Sequence, residues 1–263
     1  MGLAIVASAS GCLALVDPNP SFDAGLDDSG ADDSGETGKS SETGKGSETG
    51  DAGETGDAVP TACAEGSLDC DEIAGCEASA EAPETCGSCD HSCIVDGVTH
   101  SCGAGVCTAS FELPALSDVI ADEAMPELNY EGDDVLWVRA NPSCDAFIEL
   151  PALPEIPGAS VDAAWLALIA TDGGANVEVR RLLDPWDASE LTWSSPPALD
   201  EVAVASFSPG LGGVGVRVEA LAEIWLSGAP NYGLALTTEI NNQAAFASIE
   251  TGEGPVLHLE LSW

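Results

Sequence analysis

The amino-acid sequence predicts an all-β protein: an antiparallel, jelly-roll-like β-sandwich with one short helix, preceded by a small disulfide-rich module and a disordered linker. Three observations predict this arrangement. Short apolar runs separated by Gly, Pro and Asn fill residues 110–263, eight of the ten cysteines lie within residues 61–109, and residues 17–60 carry few apolar side chains. Short strands divided by turn residues at regular spacing are typical of two-sheet sandwiches.

The first element, residues 1–16, is predicted to be a signal peptide. Its short apolar run ends in Ala9-Ser10-Gly11-Cys12, which resembles a bacterial lipobox, and it is too short to stay in a bilayer as a helix. The lipobox implies that Cys12 carries lipid after cleavage, and Leu13 after it favours sorting to an outer membrane. An ordinary secretion signal is the alternative. No Lys or Arg precedes the run, which a true start upstream of Met1 would explain.

The second element, residues 17–60, consists largely of Asp, Ser, Gly, Glu and Thr. Glu-Thr-Gly recurs in it with a period of six residues, at 36–38, 42–44, 48–50 and 54–56. These repeats contain no apolar side chain that could stack in a solenoid. The segment is therefore predicted to be a disordered spacer, with a root-mean-square span of roughly 35–40 Å as a flexible coil.

The third element, residues 61–109, has no aromatic residue and too few apolar side chains to fold by burial alone. Dense cysteines are typical of exported modules held by disulfides. Cys86-Gly-Ser-Cys89 has the spacing of a redox dithiol, and His91 and His100 could join cysteines around zinc, but structural disulfides are favoured. The spacing leaves the pairing open. Disulfides are predicted for Cys63, Cys70, Cys76, Cys86, Cys89, Cys93, Cys102 and Cys107.

Acidic residues near Gly75 in this module resemble an Asp-rich calcium loop. Asp69, Asp71 and Glu77 could place hard carboxylate oxygens around a turn, which is the chemistry that Ca²⁺ prefers. A solvated acidic loop is the alternative. Calcium is the only cofactor that the sequence indicates.

The fourth element, residues 110–263, shows the short apolar runs of a sandwich. Leu221, Ile224 and Trp225 have helical spacing, and a stop follows at Gly228. Gly210 to Gly215 satisfies Gly-x-Gly-x-x-Gly but leads into a strand rather than a helix, so a turn is predicted. Strands are predicted at 135–138, 147–150, 161–170, 177–183, 202–207, 214–218, 234–236, 245–246 and 256–261. In the last of these, alternation predicts that Leu257, Leu259 and Leu261 face the core and that His258 and Glu260 face outward.

The order of aromatic, Asn and Gly residues in this element resembles the DNRLRE domain, a family related to disaggregatase-related repeats and carbohydrate-binding modules. The resemblance covers about residues 113–263. Its residues include Asn129-Tyr130, Trp137-Val-Arg139, Ala163-Ala-Trp-Leu166, Thr192-Trp193, Trp225-Leu-Ser-Gly228 and Asn231-Tyr-Gly-Leu234. It implies an exported β-sandwich that adheres to polysaccharide or cell-wall material. Where the family usually carries Arg, this chain has acidic residues at Asp145 and Glu149, so the family's ligand is not transferred.

Residues 63–107 also resemble a Cys-rich repeat of exported bacterial proteins, to which no activity is attached. Aromatic side chains can stack on sugar rings, and Tyr130 and Tyr232 lie in Asn-containing turns while Trp137 alternates with buried positions. These three are the predicted ligand contacts, with ordinary core packing as the alternative.

Charge and motifs set limits on function. The formal net charge of −40 excludes binding to nucleic-acid phosphates. The chain has neither a nucleophile elbow nor a His-Glu-x-x-His motif, so it is predicted not to be an enzyme. Together these features predict a lipid-anchored or secreted surface protein that binds polysaccharide or cell-wall glycan. The alternative is a non-binding component of an acidic cell-surface coat. If Cys12 carries lipid and eight cysteines pair internally, Cys144 is the odd thiol, either buried and inert or joined in an intermolecular bridge.

Overall fold

The protein is known from a computed structural model, which describes residues 63–71, 76–239 and 242–263. The predictions for the signal peptide, the Cys12 lipobox and the acidic spacer lie outside these ranges, as do Glu72 and Gly75 of the acidic loop. The described residues belong to one compact unit. No helix among them is both long and apolar enough to cross a membrane.

The described part of the cysteine-rich module contains two short two-stranded pairs ahead of Ser101. β1 (Ser67–Leu68) pairs with β2 (Ala78–Ser79), and β3 (Ile94–Val95) pairs with β4 (Val98–Thr99). Because such short pairs are not stable alone, the cross-links hold the module together. The predicted disulfides are confirmed as Cys63–Cys76, Cys70–Cys89, Cys86–Cys102 and Cys93–Cys107. Four disulfides in one small module indicate an exported protein.

The rest of the described chain is mostly β-strand, which confirms the predicted all-β fold class. All nine predicted strands are present, and their pairings are antiparallel. The strands are β5 (Ser101–Gly103), β6 (Val106–Pro114), β7 (Ser117–Asp122), β8 (Val135–Ala140), β9 (Ser143–Glu149), β10 (Ser160–Asp172), β11 (Val177–Arg181), β12 (Ala205–Phe207), β13 (Gly212–Arg217), β14 (Leu234–Thr237), β15 (Gln243–Ala247) and β16 (Val256–Ser262).

These strands make two layers that the β8–β9 hairpin connects. One layer has the order β12-β11-β14-β9-β7, and the other is built from β8, β15, β10, β16 and β6, with β13 on the second edge of β10. Side chains from both layers meet in a single apolar core: Ile148 and Leu236 come from the first, Leu166 and Leu259 from the second. Facing layers around one core define a sandwich.

Strand alternation decides which side chains enter this core. Leu257, Leu259 and Leu261 are fully buried, whereas His258 and Glu260 between them face outward and are half-buried. The prediction for β16 is therefore confirmed. A side-chain period of two is what a strand with one buried face requires.

A helix, α1 (Glu219–Leu226), follows β13 and packs against β10. Leu221, Ala222 and Trp225 are its buried residues. It ends before Gly228, whose φ of +97° favours glycine. A short 3₁₀ helix at Ile249–Thr251 precedes the last strand.

The cysteine-rich module continues directly into the sandwich through β6, which runs across the boundary predicted between residues 109 and 110. Cys107 and Trp263 exchange two backbone hydrogen bonds of 3.0 and 3.1 Å. The His100 ring contacts the rings of Phe111 and Trp263, with centroids 5.8 and 5.6 Å apart. The last residue of the sandwich thus closes the buried side of the module.

Strand β7 was not predicted, because two of its buried residues are acidic. Asp118 and Asp122 are 3% and 2% exposed. Asp122 is paired with Arg139 at 3.3 Å, and the Arg139 guanidinium also donates to the carbonyl of Pro142. A buried carboxylate that is paired in this way is invisible to hydrophobic patterning.

The prediction that Cys144 is an odd thiol is wrong. Cys144 is fully buried on β9 and is disulfide-bonded. None of the eight cysteines between 63 and 107 is its partner, because these bond to one another.

Candidate functional site

The predicted aromatic ligand contacts, Tyr130, Trp137 and Tyr232, are half-buried and pack against apolar clusters. Tyr130 and Tyr232 meet at a second cluster on the outer face of the first layer, which we call the lateral cluster; its buried residues are Val119, Ala121, Phe147, Leu182, Ala188, Leu191 and Ala235. Trp137 packs against the main core instead, and its indole nitrogen is buried without a hydrogen-bond partner. The three residues do not form one surface.

The Tyr130 hydroxyl lies in an acidic setting. Burial raises its pKa above the ordinary value, and the charges of Asp122 and Asp133 raise the pKa further. Near Tyr232, the backbone carbonyl accepts a hydrogen bond of 2.8 Å from the Trp186 indole. This hydrogen bond ties Tyr232 to the loop that covers the lateral cluster.

The predicted calcium ligands are brought together. Asp69, Asp71 and Glu77 are exposed, and each places a carboxylate oxygen within 4.8 Å of the other two. The Cys70–Cys89 disulfide anchors the first two, and the backbone N–H of Cys70 donates to Glu77. Calcium at this cluster remains a prediction, because exposed carboxylates also gather without an ion.

Trp165 differs from the other tryptophans of the chain. The chain has six tryptophans, and all are in the described ranges. Five of them contact an apolar cluster: Trp137, Trp186, Trp193, Trp225 and Trp263. Trp165 contacts neither the main core nor the lateral cluster, although it lies half-buried at the centre of β10. Core packing does not account for this indole.

The backbone of β10 places Trp165 on the outer face of the second layer. The register between β10 and β16 shifts between Val161 and Ala163, so that Val161 packs on the core while Ala163, Trp165 and Ala167 face outward. A bulge of this kind reverses the alternation of the residues that follow it. Ala164 and Leu166 are consequently fully buried.

Four outward side chains lie in register across four neighbouring strands. Trp165 on β10 is directly opposite Arg217 on β13 and His258 on β16, and His258 is opposite Glu112 on β6. We call these four residues the tryptophan row. The Trp165 and His258 rings are stacked, with centroids 4.9 Å apart and planes 5° from parallel.

The positions beside the indole are small. Ala163 and Ala167 flank Trp165 along β10, and Gly215 on β13 is opposite Ala167. A Cβ added at Gly215 would lie 3.6 Å from the Trp165 ring carbon Cδ1. Glycine at this position therefore places no side chain against the indole, so that Arg217 is the neighbouring side chain on β13.

The charges on this face are mainly negative. The Glu112 side chain is 80% exposed and lies 3.8 Å from the His258 ring, and Glu260 is the next outward residue of β16. Arg217 is 81% exposed but forms an ion pair of 2.6 Å with Glu219. The Arg217 contact in turn lowers the pKa of the Glu219 carboxyl.

Two cavities lie elsewhere in the described residues. One of about 340 Å³ is bounded by Trp186, the acidic residues Asp184, Asp187 and Glu190, and prolines of the loop over the lateral cluster. The other, of about 620 Å³, lies between residues 152–159 and the end of α1 at Trp225. Neither contains Trp165.

Comparison with known proteins leaves the family open. No family model matches the chain, and no curated protein matches it. The resemblance to the DNRLRE domain therefore remains a prediction, and the site is interpreted from its own geometry.

Two carboxyl groups, the buried Asp118 and the half-buried Asp145, have strongly perturbed acidity. Burial is the main cause that raises the pKa of Asp118 and of Asp145 to about 7. Asp118 is paired with core-facing Ile148, whereas Asp145 lies on the same face as Phe147 in the lateral cluster. The two carboxyl groups are on opposite faces of one sheet and cannot flank a single glycosidic bond as an acid and base pair.

Sequence reasoning placed His258 outward but did not single out Trp165. The available signal was the alternation Ala163, Trp165, Ala167, in which an aromatic residue stands between two small residues on one strand face. The register that brings His258, Arg217 and Glu112 beside it depends on residues far apart in sequence.

Proposed function

We propose that the protein is an exported cell-surface module that binds polysaccharide or cell-wall glycan by stacking a sugar ring on Trp165. The observation that carries this proposal is the position of Trp165. It is the tryptophan that packs against neither apolar cluster, and it stands half-buried among small residues on the outer face of the second layer. An aromatic face that core packing does not use is suited to the apolar face of a sugar.

The setting supports a glycan over other ligands. Glu112 and His258 provide polar groups next to the indole, as a hydroxyl-rich ligand requires. The four disulfides and the resemblance to the DNRLRE domain favour a surface module that meets polysaccharide. We place the proposed site in the tryptophan row rather than at Tyr130, Trp137 and Tyr232, because those three contribute to core packing.

The test is binding of the purified protein to insoluble glycans, with peptidoglycan sacculi, cellulose and chitin as the panel. We expect Trp165→Ala to lose retention on the glycan that binds the unchanged protein, while Val202→Ala retains it. Val202 is 72% exposed and lies outside the tryptophan row, so it controls for handling of a surface variant. Unfolding curves of both variants check that the fold is kept.

Two results would count against the proposal. Equal retention of Trp165→Ala and the unchanged protein would mean that Trp165 is not the site. Absence of binding across the panel would favour the alternative, a non-binding component of an acidic surface coat, for which the net charge of −40 would be sufficient.

For anchoring, we propose that Cys12 carries lipid and that the acidic spacer holds the sandwich away from the membrane. A disulfide between Cys12 and Cys144 is the alternative to this lipid anchor. Eight cysteines pair within 63–107 and Cys144 is disulfide-bonded, which leaves Cys12 as the remaining cysteine of the sequence. A sulfur that carries a lipid thioether cannot also form a disulfide. The mass of the N-terminal peptide from protein purified out of membranes decides: a diacylglyceryl adduct supports the anchor, and a peptide joined to Cys144 excludes it.

A further inference from the structure

The tryptophan row also indicates which class of glycan it binds, an inference that rests on the proposed function. Carboxylates lie on the β16 and β6 side of the stack, across from Arg217 on β13. Glu112 is the most exposed member of the row apart from Arg217, and Glu260 is half-buried two residues beyond His258 on the same strand face.

The strand spacing sets the reach between these groups and the indole. Trp165 and Glu112 are separated by β16, so their backbones are about 10 Å apart, or two strand spacings. Glu260 is diagonal to Trp165 across one strand pair, at roughly 7–8 Å. An oligosaccharide that stacks one ring on the β13 side of Trp165, and whose chain continues over the Trp165–His258 stack across β16, therefore passes both carboxylates.

The basic side chains of the row already face carboxylates of this chain. Arg217 contacts Glu219 at 2.6 and 2.7 Å, and the His258 ring lies 3.8 Å from Glu112. A sugar carboxylate or sulfate would face Glu112 and Glu260 without a compensating charge. The net charge of −40 adds a repulsion that weakens with salt.

We propose that the preferred ligand is a glycan with free, protonated amino groups, such as a deacetylated amino-sugar polymer. The Trp165 indole stacks on a sugar ring, and Glu112 and Glu260 pair with ammonium groups of neighbouring rings. An exposed ion pair contributes little alone, so stacking provides the binding and the carboxylates provide the selectivity.

Short oligomers provide the test, because a polycation of any kind would adhere to so acidic a protein. The full chain is titrated with the hexamers of glucosamine, N-acetylglucosamine and glucose, all β-1,4-linked, at about pH 6, where amines are protonated, and about 0.15 M salt. Calorimetry gives the affinity, and quenching of tryptophan fluorescence reports on the stack. We expect the glucosamine hexamer to bind at least about tenfold more tightly than the other two.

The variants separate selectivity from general charge. Glu112→Gln combined with Glu260→Gln should lower the affinity for the glucosamine hexamer to about that of the acetylated hexamer, which removes the preference. The matched control, Glu131→Gln combined with Glu201→Gln, removes the same charge from exposed loop positions outside the row and should keep the preference. Trp165→Ala should weaken binding of every hexamer.

The outcomes distinguish the two proposals. Equal affinity for the three hexamers, or an equal loss of preference in the control variant, overturns the amine preference while glycan binding at Trp165 stands. No binding of any hexamer, or binding that Trp165→Ala does not alter, overturns both.

Discussion

The indole of Trp165 and the imidazole of His258 lie face to face on neighbouring strands, 4.9 Å apart between ring centroids and within 5° of parallel. The side chains are a direct cross-strand pair of β10 and β16. His258 covers one face of the indole and leaves the β13 side to a ligand. The stack therefore fixes the orientation of the indole before any glycan arrives, which reduces the entropy lost on binding.

The stack predicts a role for His258 in positioning. His258→Ala should lower the free energy of unfolding by about 0.5–1.5 kcal/mol and weaken glycan binding less than Trp165→Ala does, because the indole remains but is no longer held. His258→Phe should restore most of both, since a flat ring again faces Trp165. Urea unfolding and glycan titration measure the two effects. Equal loss in His258→Phe and His258→Ala would show that ring stacking is not the cause.

The absence of a side chain at Gly215 predicts that glycan binding needs space beside Trp165 on the β13 side. Gly215→Val should preserve folding, because β13 is extended there and the new Cβ makes an ordinary contact of 3.6 Å with Trp165. It should weaken glycan binding at least about tenfold by covering the indole. Gly213→Val is the matched control: it lies on the same strand face, and a Cβ there meets no atom within 4 Å. Similar affinities of the two variants would contradict a site on this side.

Asp118 predicts that stability falls as pH rises. Its Oδ2 accepts a hydrogen bond of 3.0 Å from the Ile249 amide, while its Oδ1 is buried without a partner in the described part of the chain. Burial first, and then the charge of Glu250, raise the pKa of Asp118 from 3.8 to about 7, against the Ile249 hydrogen bond, which lowers it. Between these values the folded protein binds a proton that the unfolded chain has released. The contribution of Asp118 to the free energy of unfolding is therefore greatest below about pH 4, and it is lost as the pH rises to about 7.

The measurement is urea unfolding of Asp118→Asn and the unchanged protein at pH 5 and pH 8. From pH 5 to pH 8, the free energy of unfolding should fall less in the variant than in the unchanged protein. The two decreases should differ by an amount on the order of a few kcal/mol. Asp145 contributes a slope of the same sign, because burial also raises its pKa to about 7. Asp187→Asn provides a control at an exposed carboxyl. An unchanged slope in Asp118→Asn would contradict the effect of burial.

Two disulfides of similar loop length predict how much the module depends on its junction with the sandwich. Cys93–Cys107 and Cys63–Cys76 join residues 14 and 13 apart, so chain entropy assigns both about 3 kcal/mol. Cys93 and Cys107 are fully buried beside Trp263, whereas Cys76 is exposed. Replacing the Cys93–Cys107 pair by serines should therefore lower the unfolding temperature more than replacing Cys63–Cys76. Equal decreases in unfolding temperature would mean that the buried junction adds no stability beyond that of loop closure.

Much of the fold could be predicted because strand patterning is local. The apolar runs around Val135, Val177 and Val256 predicted strands although the neighbouring strands were not known. The spacing of Leu221 and Trp225 predicted the helix. Strand β7 was not predicted because it contains the buried residues Asp118 and Asp122. Burial of a carboxylate depends on partners elsewhere in the chain. The bulge near Asp162, which turns Trp165 outward, left no local mark in the sequence.

The sequence by itself determined the all-β class, the inward leucines of β16 and the disulfide-rich module, since composition and alternation depend on neighbouring residues alone. Only the tertiary structure decided the disulfide pairing, the bonded state of Cys144 and the tryptophan row. Trp165, Arg217, His258 and Glu112 lie on four strands that are remote from one another in the chain. Their meeting follows from strand order and register, which many distant contacts decide together.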